Sequence, residues 1–397
     1  MKTDAPITPK APNAPVLAIL TESIRFDNQH PLKYFRKIKP IHFYKSAPYG
    51  DLKKEELKGA VKYHDFADLE QKLIEIKPDI IQGAEPYGSK IQLRLCHIAW
   101  RVSRKLNIPL IFGMLENRPV KERFGSVLAP MLKKVLAAYA KQSSMIFYLN
   151  SGAKRNLLEV GVDPSILKKL LYGIWGIDTR LFKPQEGAKG ATGAIGAKVT
   201  IAPNAPDAPK YLLFVGRIDE AKGIPYLMEA WEMIKEEFPK VEFLFAGKGE
   251  LENMIKGERI KKLGMVKNQD LPELFNQALF TVCPSVTLKR WEEQVGMVNL
   301  QSLACGTPVI TTKSGAIPEY INSKVGILVP ERDSKALAEA MRQLLKDEKL
   351  RSRLGQTGRQ YILENFDAQK TIQKTEEILL GLLKLNLTPP TKWGQNG

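Results

Sequence analysis

A chain of 397 residues exceeds what one ordinary core organises and suits two domains. Its 44% hydrophobic content is that of a soluble globular protein. No apolar run approaches the roughly 18 residues of a membrane-crossing helix, and three well-separated cysteines exclude a disulfide framework, which together suit a reducing cytoplasm. Sixty Lys and Arg against 43 Asp and Glu, spread along the chain, leave a net charge of +17. That balance is either a lysine-rich solvated surface or a preference for anionic partners, a phospholipid surface or phosphorylated small molecules. No nucleic-acid motif accompanies it, and nucleic acid is excluded as a partner.

Residues 1–15, rich in Pro and Ala and without an apolar centre, read as a disordered leader and not a signal peptide. From 16 to 184 short apolar runs alternate with helical-length segments. Strands are expected at 16–20, 41–44, 79–83, 109–114 and 144–149, with helical periodicity over 90–106 and 127–142. The Ala-, Gly- and Pro-rich residues 185–210 hold no period and read as a flexible linker. Residues 211–366 repeat the plan, with strands at 211–216, 241–247, 279–284, 308–312 and 326–329 around amphipathic segments 224–238 and 334–347. The final stretch, 367–397, begins with a helix whose apolar end needs cover, and packing back onto the first domain supplies it. Such alternation predicts an α/β protein of two Rossmann-like, doubly wound domains, with ligands beyond the carboxyl ends of the strands.

Four strand ends in the second half carry chemistry. Gly216-Arg217 followed by Lys222-Gly223 places two cations before a helix start, an arrangement for a phosphate or simply a solvated turn. Gly247-Lys248-Gly249 permits close backbone approach or makes an ordinary turn. After Gly264, the backbone of Met265 and Val266 can pair with the edge of a base. Finally, Glu293 precedes Gly296, where an apolar helix begins with Met297 and Val298 and ends before Gly306. Its first amides need an acceptor, and Gln301 lies about two turns deeper; by itself the stretch is also a surface acidic pair, Glu292 and Glu293, with a solvated helix glutamine.

In this order the four elements resemble the retaining glycosyltransferases of family 4, which have the GT-B fold, two such domains facing across a cleft. The resemblance is strong from about Lys210 to Glu319 and fainter over 147–184. It implies that Arg217, Lys222 and the amides of Met297 and Val298 hold a donor diphosphate. It further implies that Glu293 holds donor-sugar hydroxyls and that position 301 holds the ribose. The family has a carboxylate at both ends of a seven-residue spacer, whereas here Glu293 is followed by Gln301. A glutamine keeps an acceptor but loses the charge, a difference of roughly tenfold in nucleotide affinity.

The first half departs further. No glycine-rich loop follows the first strand, and where the family has a histidine after the strand at 109–114 this chain reads Leu115-Glu116-Asn117. Glu116 and Asn117 either line the acceptor side or cap the next segment. The resemblance implies hexose transfer, with retention, from a UDP-, GDP- or ADP-sugar to a glycan or lipid-linked acceptor in cell-envelope or polysaccharide biosynthesis. No Asp-x-Asp occurs, so no metal is expected. A cytoplasmic enzyme peripheral to the membrane is the setting. The alternative is a non-catalytic nucleotide-sugar-binding or interaction protein of the same fold.

Overall fold

Apolar runs that alternate with helices become parallel strands, because a crossover helix returns each strand to the same direction and covers a face of the sheet. The computed structural model describes residues 14–48, 50–170, 175–185, 193–195, 199–201 and 210–384. The leader up to residue 13, the tail from 385 and most of 186–209 lie outside them. Two units divide the chain, Met1–Gly176 with Ala368–Gly397, and Ile177–Asp367.

In the first unit β1 (Val16–Leu20), β2 (Lys39–Tyr44), β3 (Val61–Lys62), β4 (Ile80–Gly83), β5 (Leu110–Met114), β6 (Ser143–Tyr148) and β7 (Leu167–Lys169) form one parallel sheet. Its order is β3-β2-β1-β4-β5-β6-β7, so the winding reverses between β1 and β4. Within 185–210, read above as linker, β8 (Gly193–Ile195) and β9 (Val199–Ile201) pair antiparallel, a contact too short to leave a period in the sequence. The second unit holds β10 (Lys210–Val215), β11 (Val241–Ala246), β12 (Ile260–Gly264), β13 (Phe280–Cys283), β14 (Val309–Thr312) and β15 (Gly326–Val329). They are parallel in the order β12-β11-β10-β13-β14-β15, reversing between β10 and β13. The expected α/β class with two doubly wound sheets is therefore what the chain adopts.

Strands β3 and β7 escaped the sequence reading, and of β12 only the end at Gly264 was read, for one reason. All three are edge strands, wet on one side, and carry Lys62, Lys168, Lys169, Lys261 and Lys262 where interior strands carry Val, Ile or Phe. The helix Val120–Gln142 also begins earlier than its periodicity suggests, because it bends at Gly125 (φ 80°, ψ 166°) and the two segments do not share a phase.

The C-terminal helix Ala368–Lys384 closes the first unit. Ala368, Ile372, Leu379 and Leu382 join Leu32, Phe35, Ile38 and Trp175 in one core. The buried Glu376 (4% exposed) anchors it, since one carboxylate oxygen accepts the N–H groups of Arg36, Lys37 and Ile38 at 2.8, 2.7 and 2.8 Å. Three successive amides around one anion form a backbone nest. Glu376→Ala strands those amides and is expected to cost about 3–5 kcal/mol of stability. Glu376→Gln keeps an acceptor and costs about 1–2 kcal/mol. Urea titration of the three proteins checks the order.

Candidate active site

Where β10 and β13 lie side by side, their connections leave in opposite directions and open a crevice at their carboxyl ends. Lys222 comes from the loop after β10 and Glu293 from the loop after β13. The Lys222 Nζ lies 2.5 Å from Glu293 Oε2, and Ser285 Oγ donates to the same oxygen at 3.1 Å. Burial pushes the Glu293 carboxyl up, but Lys222, Ser285 and the Gly296 amide outweigh it and hold the group below its ordinary range. Glu293 is thus an ionised, acceptor-only group at neutral pH.

Local chemistry presents the lysine. A 3-10 turn, Glu220–Lys222, is capped by Asp219, whose Oδ1 accepts the Lys222 N–H at 3.0 Å. Gly223 follows in the left-handed region at φ 69°, and a Cβ there would stand 2.0 Å from the Pro284 carbonyl oxygen. Glycine alone lets this turn press against the end of β13. Arg217 pairs with Asp219 at 3.1 Å and remains mostly exposed. One indole joins the two cations: Lys222 Nζ lies 4.7 Å and Arg217 Cζ 5.9 Å from the Trp291 ring centroid. The sequence reading missed Trp291, since a single aromatic in a loop belongs to no period or motif.

Gly216, Gly247 and Gly249 have a shared cause. Past the strand ends the ladder continues, with Gly216 N–H donating to Ala246 O at 3.0 Å, Gly247 N–H to Gly264 O at 2.7 Å and Ile218 N–H to Lys248 O at 2.9 Å. A Cβ on Gly247 would fall 1.8 Å from Gly216 O, and one on Gly249 2.2 Å from Ile218 O. Beside these loops lies a depression of about 400 Å³ lined by Gly247, Lys248, Gly264 and Met265 together with Ile218 and Lys262. Val266 follows Met265 but is not part of its lining.

The helix Met297–Ala304 starts from Gly296, at φ 78°, where a Cβ would meet Asn299 Nδ2 at 2.9 Å. The N–H groups of Met297 and Val298 occupy its first positions, which have no acceptor within a helix. Asn299 to Ala304 are buried, and Gln301 is only 5% exposed. The helix is pinned through Ser302, whose Oγ meets Thr281 Oγ1 at 2.8 Å and donates to Thr307 O at 3.0 Å.

In the first unit, Glu116 and Asn117 are both buried. The Glu116 carboxylate accepts from Arg118 Nε at 3.0 Å and from Arg123, and Asn117 O accepts from Arg155 at 2.7 Å. These contacts shape the loop after β5. His42 does not replace the missing histidine: burial holds its imidazole down to about 3, between Thr21 and Gln29. The reversal point of this sheet carries a residue that sequence reasoning passed over. Glu85, just past β4, accepts the N–H groups of Leu115 and Glu116 at 2.8 and 2.5 Å. Burial raises its carboxyl to about 7, more than the two amides and Arg123 lower it. Among the described residues, no group of three or more His, Cys, Asp or Glu side chains is placed to hold a metal ion.

Residues 200–361 match the family model described as glycosyl transferases group 1. Spore coat protein SA of Bacillus subtilis is 31% identical over 180 residues, covering 41% of this chain and 47% of that protein. The capsular polysaccharide biosynthesis glycosyltransferase CapM of Staphylococcus aureus is 30% identical over 179 residues, covering 43% and 46%. The chain thus spans about half the length of the curated relatives it matches. In structure it is similar to Anabaena HepE in complex with UDP, with a TM-score of 0.71 over 93% of this chain and 100% of that one, at 16% identity. That likeness is one of fold.

The raised Glu85 carboxyl has a consequence for stability. The folded chain holds its proton more tightly than the unfolded chain, so the residue costs nothing below its ordinary value of 4.5. The cost grows as pH rises to about 7 and then levels. Glu85→Gln keeps an acceptor for both amides and has no such titration. Its Tm is expected to fall less than that of the parent between pH 5 and pH 8, measured by differential scanning calorimetry.

Proposed function

We propose, from the match of residues 200–361 to the family model of glycosyl transferases group 1, that this GT-B chain is a retaining glycosyltransferase. It moves a hexose-type sugar from a UDP-, GDP- or ADP-sugar to a glycan or lipid-linked acceptor in cell-envelope or polysaccharide biosynthesis. The observation that carries the reading is the convergence of Lys222, Arg217 and Glu293 at the reversal point of the second sheet, next to the start of the helix Met297–Ala304. The difficult event in such a transfer is departure of a diphosphate whose charge grows. Fixed cations and helix amides stabilise that charge without reorganising, the electrostatic mode that usually dominates catalysis.

In this reading Lys222 and Arg217 meet the diphosphate, joined by the N–H groups of Met297 and Val298. Glu293, kept ionised by Lys222, accepts hydrogen bonds from sugar hydroxyls and orients the ring. Its charge is poorly placed to attack, since Lys222 and Ser285 already occupy one of its oxygens. Gln301 accepts from the ribose, and Met265 and Val266 meet the base beside the depression at Gly247 and Lys248. The acceptor hydroxyl approaches from the side of the leaving group, and its proton passes to the departing phosphate. The two cations do the work that a metal would otherwise do, so the reaction proceeds without one. Glu116 and Asn117 support the acceptor side by fixing the loop after β5.

Arg217→Ala and Lys222→Ala are each expected to cut transfer roughly 10²–10³-fold, the effect of removing one charge contact in the transition state. Lys222→Ala also leaves Glu293 without its counter-ion. Adding Glu293→Gln to it is expected to restore thermal stability while leaving transfer lost. Radiolabelled donor assays and melting curves separate those two effects, and near-parental transfer by both alanine variants would remove the diphosphate assignment. Product anomers read by NMR are expected to keep the donor configuration, and EDTA is expected to leave the rate unchanged.

A further inference from the structure

The positive charge is not shared between the two units. Met1–Gly176 with Ala368–Gly397 holds 33 Lys and Arg against 18 Asp and Glu, whereas Ile177–Asp367 holds 27 against 25. The first unit is also where large apolar side chains gather on the outside. Seven such side chains are exposed among the described residues, and three of them fall within five positions: Val127 at 89%, Leu128 at 48% and Met131 at 55%.

Their position has a structural cause. Gly125 breaks the helix Val120–Gln142, so Val127 and Leu128 open its second segment. That segment buries Ala129, Leu132 and Leu136, one helical stripe, and Val127, Leu128 and Met131 lie off it. Lys121 and Lys134 flank the cluster and are exposed. From Arg123 to Leu158 the chain has six Lys or Arg and no Asp or Glu. Two of the six are paired with carboxylates, Arg123 with Glu116 and Lys133 with Glu159, and Arg155 donates to the Asn117 carbonyl.

We propose that this bend docks the first unit on an anionic lipid surface. Val127, Leu128 and Met131 enter the boundary between headgroups and acyl chains, and Lys121 and Lys134 meet lipid phosphates. Charge selects this occupant. A second copy of the chain would bring the same strongly basic unit against itself, and a soluble glycan gives Val, Leu and Met nothing apolar to bury in. The inference rests on the transferase reading only for its purpose, bringing the enzyme to a lipid-linked acceptor. The physics of docking stands without it.

The full chain is sedimented with vesicles of phosphatidylcholine alone or with phosphatidylglycerol added, at low and high salt. Binding is expected to need the anionic lipid and to weaken with salt. Leu128→Glu with Met131→Glu is expected to lower partitioning about tenfold or more, because two exposed apolar side chains that enter the lipid boundary are replaced by charges that anionic headgroups repel. Met233→Glu with Met254→Glu, exposed methionines of the second unit, is expected to leave it unchanged. Equal sedimentation of the Leu128/Met131 variant and the parent overturns the proposal. So does failure of the parent to bind either vesicle, or self-association through this bend seen by analytical ultracentrifugation in its place. Transfer to a soluble acceptor, measured in parallel, should not differ between parent and Leu128/Met131 variant. If the parent transfers nothing yet binds anionic vesicles, the transferase reading fails and docking stands.

Discussion

The ion pair between Lys222 and Glu293 is the interaction on which the candidate site depends. It joins positions 71 residues apart, and only the reversal of winding between β10 and β13 makes them neighbours. Each partner determines what the other can be. The lysine keeps the carboxyl ionised despite its burial, and the carboxylate gives the ammonium a fixed place over the Trp291 indole. In the proposed reading, a phosphate meets a cation already held in position, so little ordering of the side chain remains to be done on binding.

The glycines around this pair serve packing before they serve any ligand. Gly223 sits against the Pro284 carbonyl, Gly247 against that of Gly216 and Gly249 against that of Ile218, each at a separation that no Cβ could occupy. Loops packed this tightly cannot relax around a side chain, so the cations and amides they present share one geometry. The same plan governs the first unit at its own reversal point, where Glu85 and Glu116 hold the loop after β5 with backbone amides and two arginines. There the charged groups are turned inward, and the reversal point holds its own loop.

The two units also divide the electrostatics between them. The second is almost neutral, so the local charges of Arg217, Lys222 and Glu293 dominate its site. The first carries nearly the whole excess of Lys and Arg. Part of that excess comes from the C-terminal helix, which Glu376 fastens onto the backbone of Arg36, Lys37 and Ile38. A chain whose charge reads as evenly spread thus folds into one basic body and one neutral body.

The nine interior strands were legible in the sequence because a strand buried on both faces is mostly apolar, and the edge strand β15 was legible because its four residues, Gly326–Val329, carry no charge. The glycines at strand ends and the cations beside them were legible for a similar reason, since a turn that meets a helix start leaves its mark within a few residues. Edge strands β3 and β7 were not, and β12 was legible only at Gly264, because water on one side permits lysine. Trp291, Glu85 and the cluster at Val127, Leu128 and Met131 were not either, since each takes its meaning from what lies beside it in space. Backbone hydrogen bonding and local burial act over a few residues, and the sequence alone determined whatever they govern. Which charges meet, which carboxyl is buried and which apolar face is left uncovered depend on contacts between distant residues, and the tertiary structure alone decided those.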